Sequence, residues 1–446
     1  MPTQLLVLGL GKTGLSIVRY LTAHQIDCMV YDTREHPPEQ EHFQSLYPHI
    51  KLILGNYPVD LLDAVAKIIT SPGLAPSTAI LQEAVMRGIP IESDFDMFAD
   101  AMNAPIVGIT GANGKSTVTT LVGEMAALAG INVAVGGNLG TPVLQLLEEH
   151  PKAQLWVFEL SSFQLLYTHR LHFEAATILN ITPDHIDFHG SMTNYIDAKQ
   201  RIYQHTKLAV FSREDALTYP QYRQQQQISF GLSSPSLATD WGIIQTNDGP
   251  ALAQGDDIWL YTSQLKMQGQ HHWLNALAAM ALARAVGVSR ESICQVLTTF
   301  KGLRHRTEWV RELAGVNYVN DSKATNVGAS LAAIEGIGPG MAGKIVLIAG
   351  GLGKGAAFKQ MRAALSTYVA HVVLIGKDAG ILAEDWAGVC PLHEASDLAA
   401  AVKLCASLAE PGDMVLLSPA CASLDMFKDY QDRGEQFIDC VQGLSV

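Results

Sequence analysis

The chain has 446 residues, of which 48% are apolar and 16% charged, and its formal charge is −13. That balance excludes a disordered or fibrous chain and suits about two to four compact domains with substantial cores. The acidic excess argues against attraction to nucleic acid or to an anionic membrane surface, so any anionic substrate has to be held by local positive groups.

The N-terminus runs directly into Leu5-Leu6-Val7-Leu8-Gly9, which reads as a first buried strand and not as a leader. Apolar segments extend only about six to ten residues where a membrane helix needs roughly 20, so no spanning segment is expected. A helix over 15–24, a strand over 28–31 and a strand over 67–70 ahead of Ser71-Pro72-Gly73 continue a βαβ rhythm. A second unit opens with a strand over 105–110, passes through a glycine loop into a helix over 118–129, and adds buried strands over 155–159 and 176–180. The stretch from 210 to 265 is glutamine-rich at 224–227 and carries short alternating pieces such as Ile258-Trp259-Leu260-Tyr261, expected as small antiparallel strands. A third unit from His305 has strands over 344–349, 371–375 and 414–417, separated by alanine-rich helical stretches. The expected architecture is α/β throughout, with domains at 1–93, 94–302 and 303–446. The two flanking domains are Rossmann-like and the central one is a phosphate-loop domain. The six cysteines lie far apart with no C-x-x-C pair, which suggests neither a zinc knuckle nor a disulfide scaffold and points to a reducing, cytoplasmic setting.

Two glycine strings could hold phosphate. Thr110-Gly111-Ala112-Asn113-Gly114-Lys115-Ser116-Thr117 stands between an apolar strand and a helix, where backbone N–H groups converge on phosphate oxygens. Lys115 would meet the β and γ phosphates, and Ser116 or Thr117 would offer Mg²⁺ a hard oxygen. The spacing is the shorter G-x-x-G-K-S, because Ile109 occupies the place of the first glycine in the longer motif. Gly9-Leu10-Gly11-Lys12-Thr13-Gly14, with Asp32 ending the next strand, formally completes a dinucleotide fingerprint. From these strings alone a nicotinamide-dependent oxidoreductase and a nucleotide-binding switch stay open as alternatives.

The loop at 110–117, with Asn113 inside it, resembles the ATP site of the Mur ligases and of the related folylpolyglutamate synthetases. Glu159-Leu160-Ser161-Ser162-Phe163-Gln164, Asn180-Ile181-Thr182-Pro183-Asp184-His185, Asn320-Asp321-Ser322-Lys323-Ala324-Thr325-Asn326 and Ser418-Pro419-Ala420-Cys421-Ala422-Ser423 narrow the likeness to the D-glutamate-adding branch of the Mur ligases. The aspartate string discriminates most, because the sister branches carry a different one. The resemblance implies an ADP-forming ligase of peptidoglycan synthesis, which phosphorylates the carboxylate of UDP-N-acetylmuramoyl-L-alanine and lets D-glutamate attack the acyl phosphate. Folylpolyglutamate synthesis is the runner-up, disfavoured because it leaves the N-terminal domain without work.

Roles for individual residues follow from the resemblance only. Gly111, Asn113, Gly114, Lys115, Ser116, Thr117, Asn275, Arg306, Asp321 and Lys323 are expected at ATP. Thr13, Asp32, Thr33, Arg34, Ser71, Asn138 and His185 are expected at the UDP-substrate, and Thr325, Lys354, Ser423, Leu424 and Tyr430 at D-glutamate. Two Mg²⁺ ions are expected on Ser116, Glu159, His185 and Lys199, the last carbamylated by CO₂; Lys115, Glu159, His185 and Lys199 form the catalytic set. Read alone, Lys199 in Asp197-Ala198-Lys199-Gln200-Arg201 is a solvated helix lysine. The resemblance reverses that, and carbamylation requires a neutral amine. His272 replaces an asparagine that many members place against adenine, and Tyr430 replaces a phenylalanine. A monomer is expected, with domain closure to keep water from the acyl phosphate.

Overall fold

Three sheets, each built from one stretch of the chain, appear in a computed structural model that describes residues 4–58, 60–222, 226–267 and 269–445. The first contains β1 (Gln4–Leu8), β2 (Cys28–Asp32), β3 (Leu52–Leu54), β4 (Val65–Thr70) and β5 (Ile91–Glu92), all parallel, in the order β3-β2-β1-β4-β5. The order reverses beside β1, which opens a crevice at the carboxyl ends of the strands. Gly9, Asp32 and Ser71 stand there. The helix Lys12–Ala23 starts ahead of the expected 15 because Gly14 has no side chain: a Cβ would lie 1.8 Å from the Gly9 carbonyl oxygen.

The second sheet has nine strands. They are β6 (Ile106–Thr110), β7 (Val133–Gly137), β8 (Leu155–Glu159), β9 (Phe173–Ile178), β10 (Thr206–Ser212), β11 (Gln226–Phe230), β12 (Trp241–Thr246), β13 (Gly249–Gln254) and β14 (Asp257–Tyr261), ordered β14-β13-β12-β11-β10-β9-β6-β8-β7. The last two are antiparallel additions, as expected for 210–265, whereas β10 and β11 extend the parallel part. Gln224 and Gln225 lie outside the described residues. The strand expected at 176–180 is β9, which starts at Phe173, the ring packed where Gly108 leaves room: a Cβ on Gly108 would stand 2.7 Å from it. β9 ends before Asn180, whose side chain is used in the phosphate loop.

Between the first two sheets runs the helix Asp94–Ala101, whose Phe95 and Phe98 meet Phe158 and Trp156 edge-on at centroid distances of 5.3 and 4.9 Å. The Asp96 carboxylate accepts the backbone N–H groups of His169 and Arg170, at 2.7 and 2.8 Å, and the Arg170 guanidinium forks onto Glu92. One apolar core therefore runs from Val7 to Ala209, and residues Met1–Tyr261 with Leu274–Leu297 form a single compact unit.

The second unit, Thr262–Trp273 with Thr298–Val446, holds the third sheet. Its strands are β15 (Glu308–Leu313), β16 (Val316–Asn320), β17 (Ile345–Gly350), β18 (Val369–Ile375), β19 (Leu392–Glu394) and β20 (Met414–Leu417), in the order β15-β16-β20-β17-β18-β19. Only the β15–β16 pair is antiparallel. Apolar clusters cover both faces, one around Leu347 and Trp386, the other around Ile348 and Phe437. Among the described residues no helix is long and apolar enough to cross a membrane. Among the described residues no cysteine forms a disulfide.

Asp94 is buried in the helix that joins the first two sheets, and burial pushes its carboxyl up from 3.8 to about 7. The folded chain holds that proton while the unfolded chain has released it, so this group lowers stability as pH rises from about 4 to about 7, by an amount of the order of a few kcal/mol. Asp94→Asn is expected to match the parent near pH 4 and to melt higher at pH 8. Melting curves at the two pH values check it; an equal difference at both would contradict the assignment.

Candidate active site

Thr110 ends β6, and the chain turns through Gly111 and Gly114 into the helix Lys115–Leu128. Gly114 has φ +84°, a conformation L side chains rarely adopt, and a Cβ on it would stand 2.4 Å from Asn275 Oδ1. Asn275 on the helix Gln270–Ala285 is thereby placed over the loop. The helix begins at Lys115, three residues ahead of the expected 118, so the N–H groups of its first turn face the loop mouth. Asn180, beyond β9, pins the turn: Ala112 N donates to Asn180 O at 2.9 Å, Asn113 N to Asn180 Oδ1 at 2.8 Å, and Asn180 Nδ2 to Asn113 O at 3.1 Å. No role was assigned to Asn180 from sequence, although it opens one of the discriminating strings.

Five expected site residues meet around this loop. Ser116 Oγ donates to Glu159 Oε2 at 2.5 Å, and Asn138 Nδ2 donates to Glu159 Oε1 at 2.8 Å. Glu159 emerges at the end of β8, buried, with Gly137 of β7 opposite it; a Cβ on Gly137 would lie 2.2 Å from the Glu159 carbonyl oxygen. Lys115 Nζ donates to Gly111 O and Ala112 O, both at 2.9 Å. Lys199 Nζ reaches the same Gly111 O at 2.8 Å and lies 4.9 Å over the Tyr195 ring.

Lys199 is only 2% exposed, not the solvated residue its local sequence suggests. Burial, and next the charge of Lys115, hold its amine well below the ordinary lysine range, against a weaker upward pull from Asp184 and Glu159. Tyr195 lies one turn earlier on the helix Met192–Gln200, a spacing that could have hinted at the covered amine. His185, at φ +53°, lies 3.6 Å from Asp184 and meets the Phe163 ring edge-on. His189, pushed down to about 4 by burial first, feels both His185 and Lys199, which puts the two in one neighbourhood. Among the described residues no three His, Cys, Asp or Glu side chains converge as a metal cluster. What the loop offers a hard cation is the Ser116 and Glu159 oxygens, a donor set that suits Mg²⁺ completed by phosphate and water.

The other expected residues form two further groups. In the first sheet's crevice Asp32 Oδ2 accepts Leu10 N at 2.7 Å, Asp32 also holds the Arg34 guanidinium, and Ser71 Oγ donates to Gly9 O at 3.3 Å. Arg34 and the N–H groups hold the Asp32 carboxyl below its ordinary value despite its burial. Thr13 opens the adjoining helix and Thr33 is exposed beside Arg34. In the second unit Asp321 follows β16, takes Ser418 Oγ at 2.8 Å and Thr307 N at 3.1 Å, and is pushed up to about 7 by burial. Lys323 Nζ lies 3.8 Å over the Tyr430 ring. Thr325 N donates to Lys323 O, Ser423 is buried and Leu424 exposed. Lys354 is exposed in the loop after β17, with φ +51°. Arg306 and His272 belong to the same unit; His272 is buried and its Nδ1 has no hydrogen-bond partner among the described residues.

Three family signatures match in succession: Mur ligase MurD-like, N-terminal domain, at residues 3–93; Mur ligase middle domain at 109–283; and Mur ligase, glutamate ligase domain, at 305–421. A UDP-N-acetylmuramoylalanine--D-glutamate ligase of Legionella pneumophila (strain Paris) is 50% identical over 442 residues, 98% of this chain and 99% of that one. The chain belongs to the Mur ligase family. A second D-glutamate ligase, from Pseudomonas aeruginosa, is 47% identical over 441 residues, covering 99% of this chain and 98% of its own length. Among solved structures, the UDP-N-acetylmuramate-alanine ligase of Thermotoga maritima superposes with TM-score 0.59 at 18% identity, covering 98% of this chain and 99% of that one. The MurF ligase of Thermotoga maritima in complex with ADP superposes with TM-score 0.58 at 17% identity, covering 98% and 93%. These two establish the shared fold. As a Mur ligase the chain uses ATP, and the first sheet, with its glycine fingerprint, belongs to the family's own N-terminal domain, not to a nicotinamide enzyme.

Asn180→Ala removes both side-chain bonds to Asn113 and leaves the glycine turn free to open. ATP affinity measured by calorimetry is expected to fall about tenfold while the melting temperature changes little. Unaltered affinity would show that Asn180 does not hold the loop.

Proposed function

We infer that this Mur ligase joins D-glutamate to UDP-N-acetylmuramoyl-L-alanine at the expense of ATP, releasing ADP and phosphate, in peptidoglycan precursor synthesis. The observation that carries the reading is identity of 47–50% to D-glutamate ligases along essentially the whole chain. The discriminating Asn320–Asn326 string accords with it.

The chemistry has to bring a carboxylate nucleophile to a polyphosphate, two anions that repel. Lys115 and the first-turn N–H groups of its helix would take the β and γ phosphates, and the γ-phosphorus would pass to the substrate carboxylate oxygen as the bond to ADP breaks. The amine of D-glutamate then attacks the acyl carbon, loses a proton and expels phosphate. Asn113, Gly111, Gly114 and Thr117 would line the same phosphates, and Asn275, Arg306, Asp321 and Lys323 would hold the nucleoside end and the γ-phosphate. His272, which is buried, stands where many members place an asparagine against adenine.

Mg²⁺, when bound, neutralises charge on the phosphates and on the nucleophile. Ser116 and Glu159 would hold one ion, and His185 with carbamylated Lys199 a second. Supporting the carbamate is the covered, depressed amine of Lys199: its lone pair can bond to the carbon of CO₂ and the nitrogen then releases a proton, leaving an oxygen-rich anion. Thr13, Asp32, Thr33, Arg34, Ser71, Asn138 and His185 are proposed at the UDP-substrate, and Thr325, Lys354, Ser423, Leu424 and Tyr430 at D-glutamate. Domain limits at 93 and 302, a monomeric state and a cytoplasmic location complete the reading.

Purified protein given UDP-N-acetylmuramoyl-L-alanine, ATP and Mg²⁺ is expected to release ADP with D-glutamate and not with L-glutamate, D-aspartate or diaminopimelate. Turnover with another of these amino acids alone would overturn the substrate assignment. Lys115→Ala is expected to cost a hundredfold or more in kcat, roughly the loss of one charge stabiliser, with the fold intact; near-normal turnover would remove Lys115 from the mechanism.

A further inference from the structure

The helix Tyr430–Gln442 begins against the aspartate string of the second unit. Ser322 Oγ donates to Tyr430 O at 2.8 Å and Asn320 Nδ2 to Gly434 O at 3.3 Å. The fit is close enough to require a glycine, because a Cβ on Gly434 would stand 2.2 Å from His305 Nδ1. From the first turn of that helix Arg433 runs inward and is 1% exposed. Its Nε donates to Ser322 Oγ at 3.0 Å, its Nη2 to Ser322 O at 2.8 Å and its Nη1 to Cys421 O at 3.1 Å.

Arg433 thus ties two loops that are distant in sequence. Ser322 lies between Asp321 and Lys323. Cys421 precedes Ala422, whose N–H and carbonyl pair with the carbonyl and N–H of Leu352 at 3.0 and 2.9 Å, and Leu352 stands two residues before Lys354. Among the described residues no carboxylate lies within ion-pair distance of the guanidinium; Asp425 and Asp321 act on it only at longer range, and burial brings it down to about 10. A cation buried on carbonyl and hydroxyl oxygens alone is a costly way to fill a core, since an apolar side chain of similar volume often does as well or better. What an apolar side chain does not supply is a planar fork that bonds to two loops at once, and a lysine ammonium offers only a single point.

We propose that Arg433 is a positioning residue: by bonding Ser322 and Cys421 together it fixes the spacing between the loop of Asp321, Lys323 and Thr325 and the loops of Lys354, Ser423 and Leu424, so that nucleotide and D-glutamate are held in register. The proposal rests on the roles given to those loops under Proposed function. It accounts for an arginine where core packing alone favours an apolar residue.

The test uses the full chain with Arg433→Lys and Arg433→Met, with circular dichroism and melting curves confirming the fold. Both variants are expected to raise KM for D-glutamate and for ATP, each about tenfold or more, and to lower kcat, while KM for the UDP-substrate stays as in the parent. A merely structural role predicts a lower melting temperature and fewer active molecules with all three KM values unchanged. That result overturns the proposal, as does full recovery in Arg433→Lys, which would leave charge alone as the requirement. Should Arg433→Met not fold, Ser322→Ala, which removes one acceptor of the fork, takes its place and is expected to raise the same two KM values about threefold. The parent enzyme is the control for the reading beneath the proposal: no D-glutamate-dependent ADP release by the parent sinks that reading, whereas calorimetric ATP affinity, compared between parent and variants, still reads the brace.

Discussion

Two lysines bond to one carbonyl oxygen: Lys115 Nζ and Lys199 Nζ both donate to Gly111 O, at 2.9 and 2.8 Å. Two ammonium groups that close repel, and burial makes the repulsion stronger because little water screens it. Burial first, and then the charge of Lys115, disfavour the ammonium form of Lys199, which is covered by the loop and by Tyr195. A neutral amine is also the form that combines with CO₂. The proposed carbamate turns the pair from like charges into opposite ones, so the constraint that depresses Lys199 becomes a source of order once the adduct is present.

The rest of the first unit serves to hold that arrangement. Parallel strands end on the same side of a sheet, so β6, β8 and β9 deliver the glycine loop, Glu159 and Asn180 to one place without any long side chain having to search for it. Glycines at 108, 114, 123 and 137 let backbone and helices approach closely enough for this, each at a point where a Cβ would meet a neighbour within 2.7 Å. The first sheet repeats the device around Gly9 and Asp32, where the carboxylate is already occupied by Leu10 N and Arg34. An aspartate so engaged shapes the glycine turn and aims Arg34.

Much of this was legible in the sequence because it depends on local spacing. Glycine strings between an apolar run and a helix, and a carboxylate closing the apolar run 155–158, are local patterns, and the structure has them where they were read. Lys199 was not legible from residues alone, because its burial comes from Thr110 and Gly111, some ninety positions earlier in the chain. Arg433 escaped for the same reason: its partners Ser322 and Cys421 lie on other elements, and nothing around Gln431-Asp432-Arg433-Gly434 marks it as buried. The edge strand β15 and its neighbour β16 were missed because Glu308–Leu313 has no continuous apolar run and is only partly buried at the sheet edge, and the short β16 follows it directly; β7 was missed because its glycines weaken the strand pattern.

The account turns on the state of one nitrogen, and that can be observed directly. Enzyme equilibrated with isotope-labelled bicarbonate and examined by carbon NMR, alongside Lys199→Met, should show a carbamate resonance in the parent that is absent from the variant, together with turnover in the parent only. A fully active parent with no such resonance, its Lys199 an ordinary ammonium, would contradict the account.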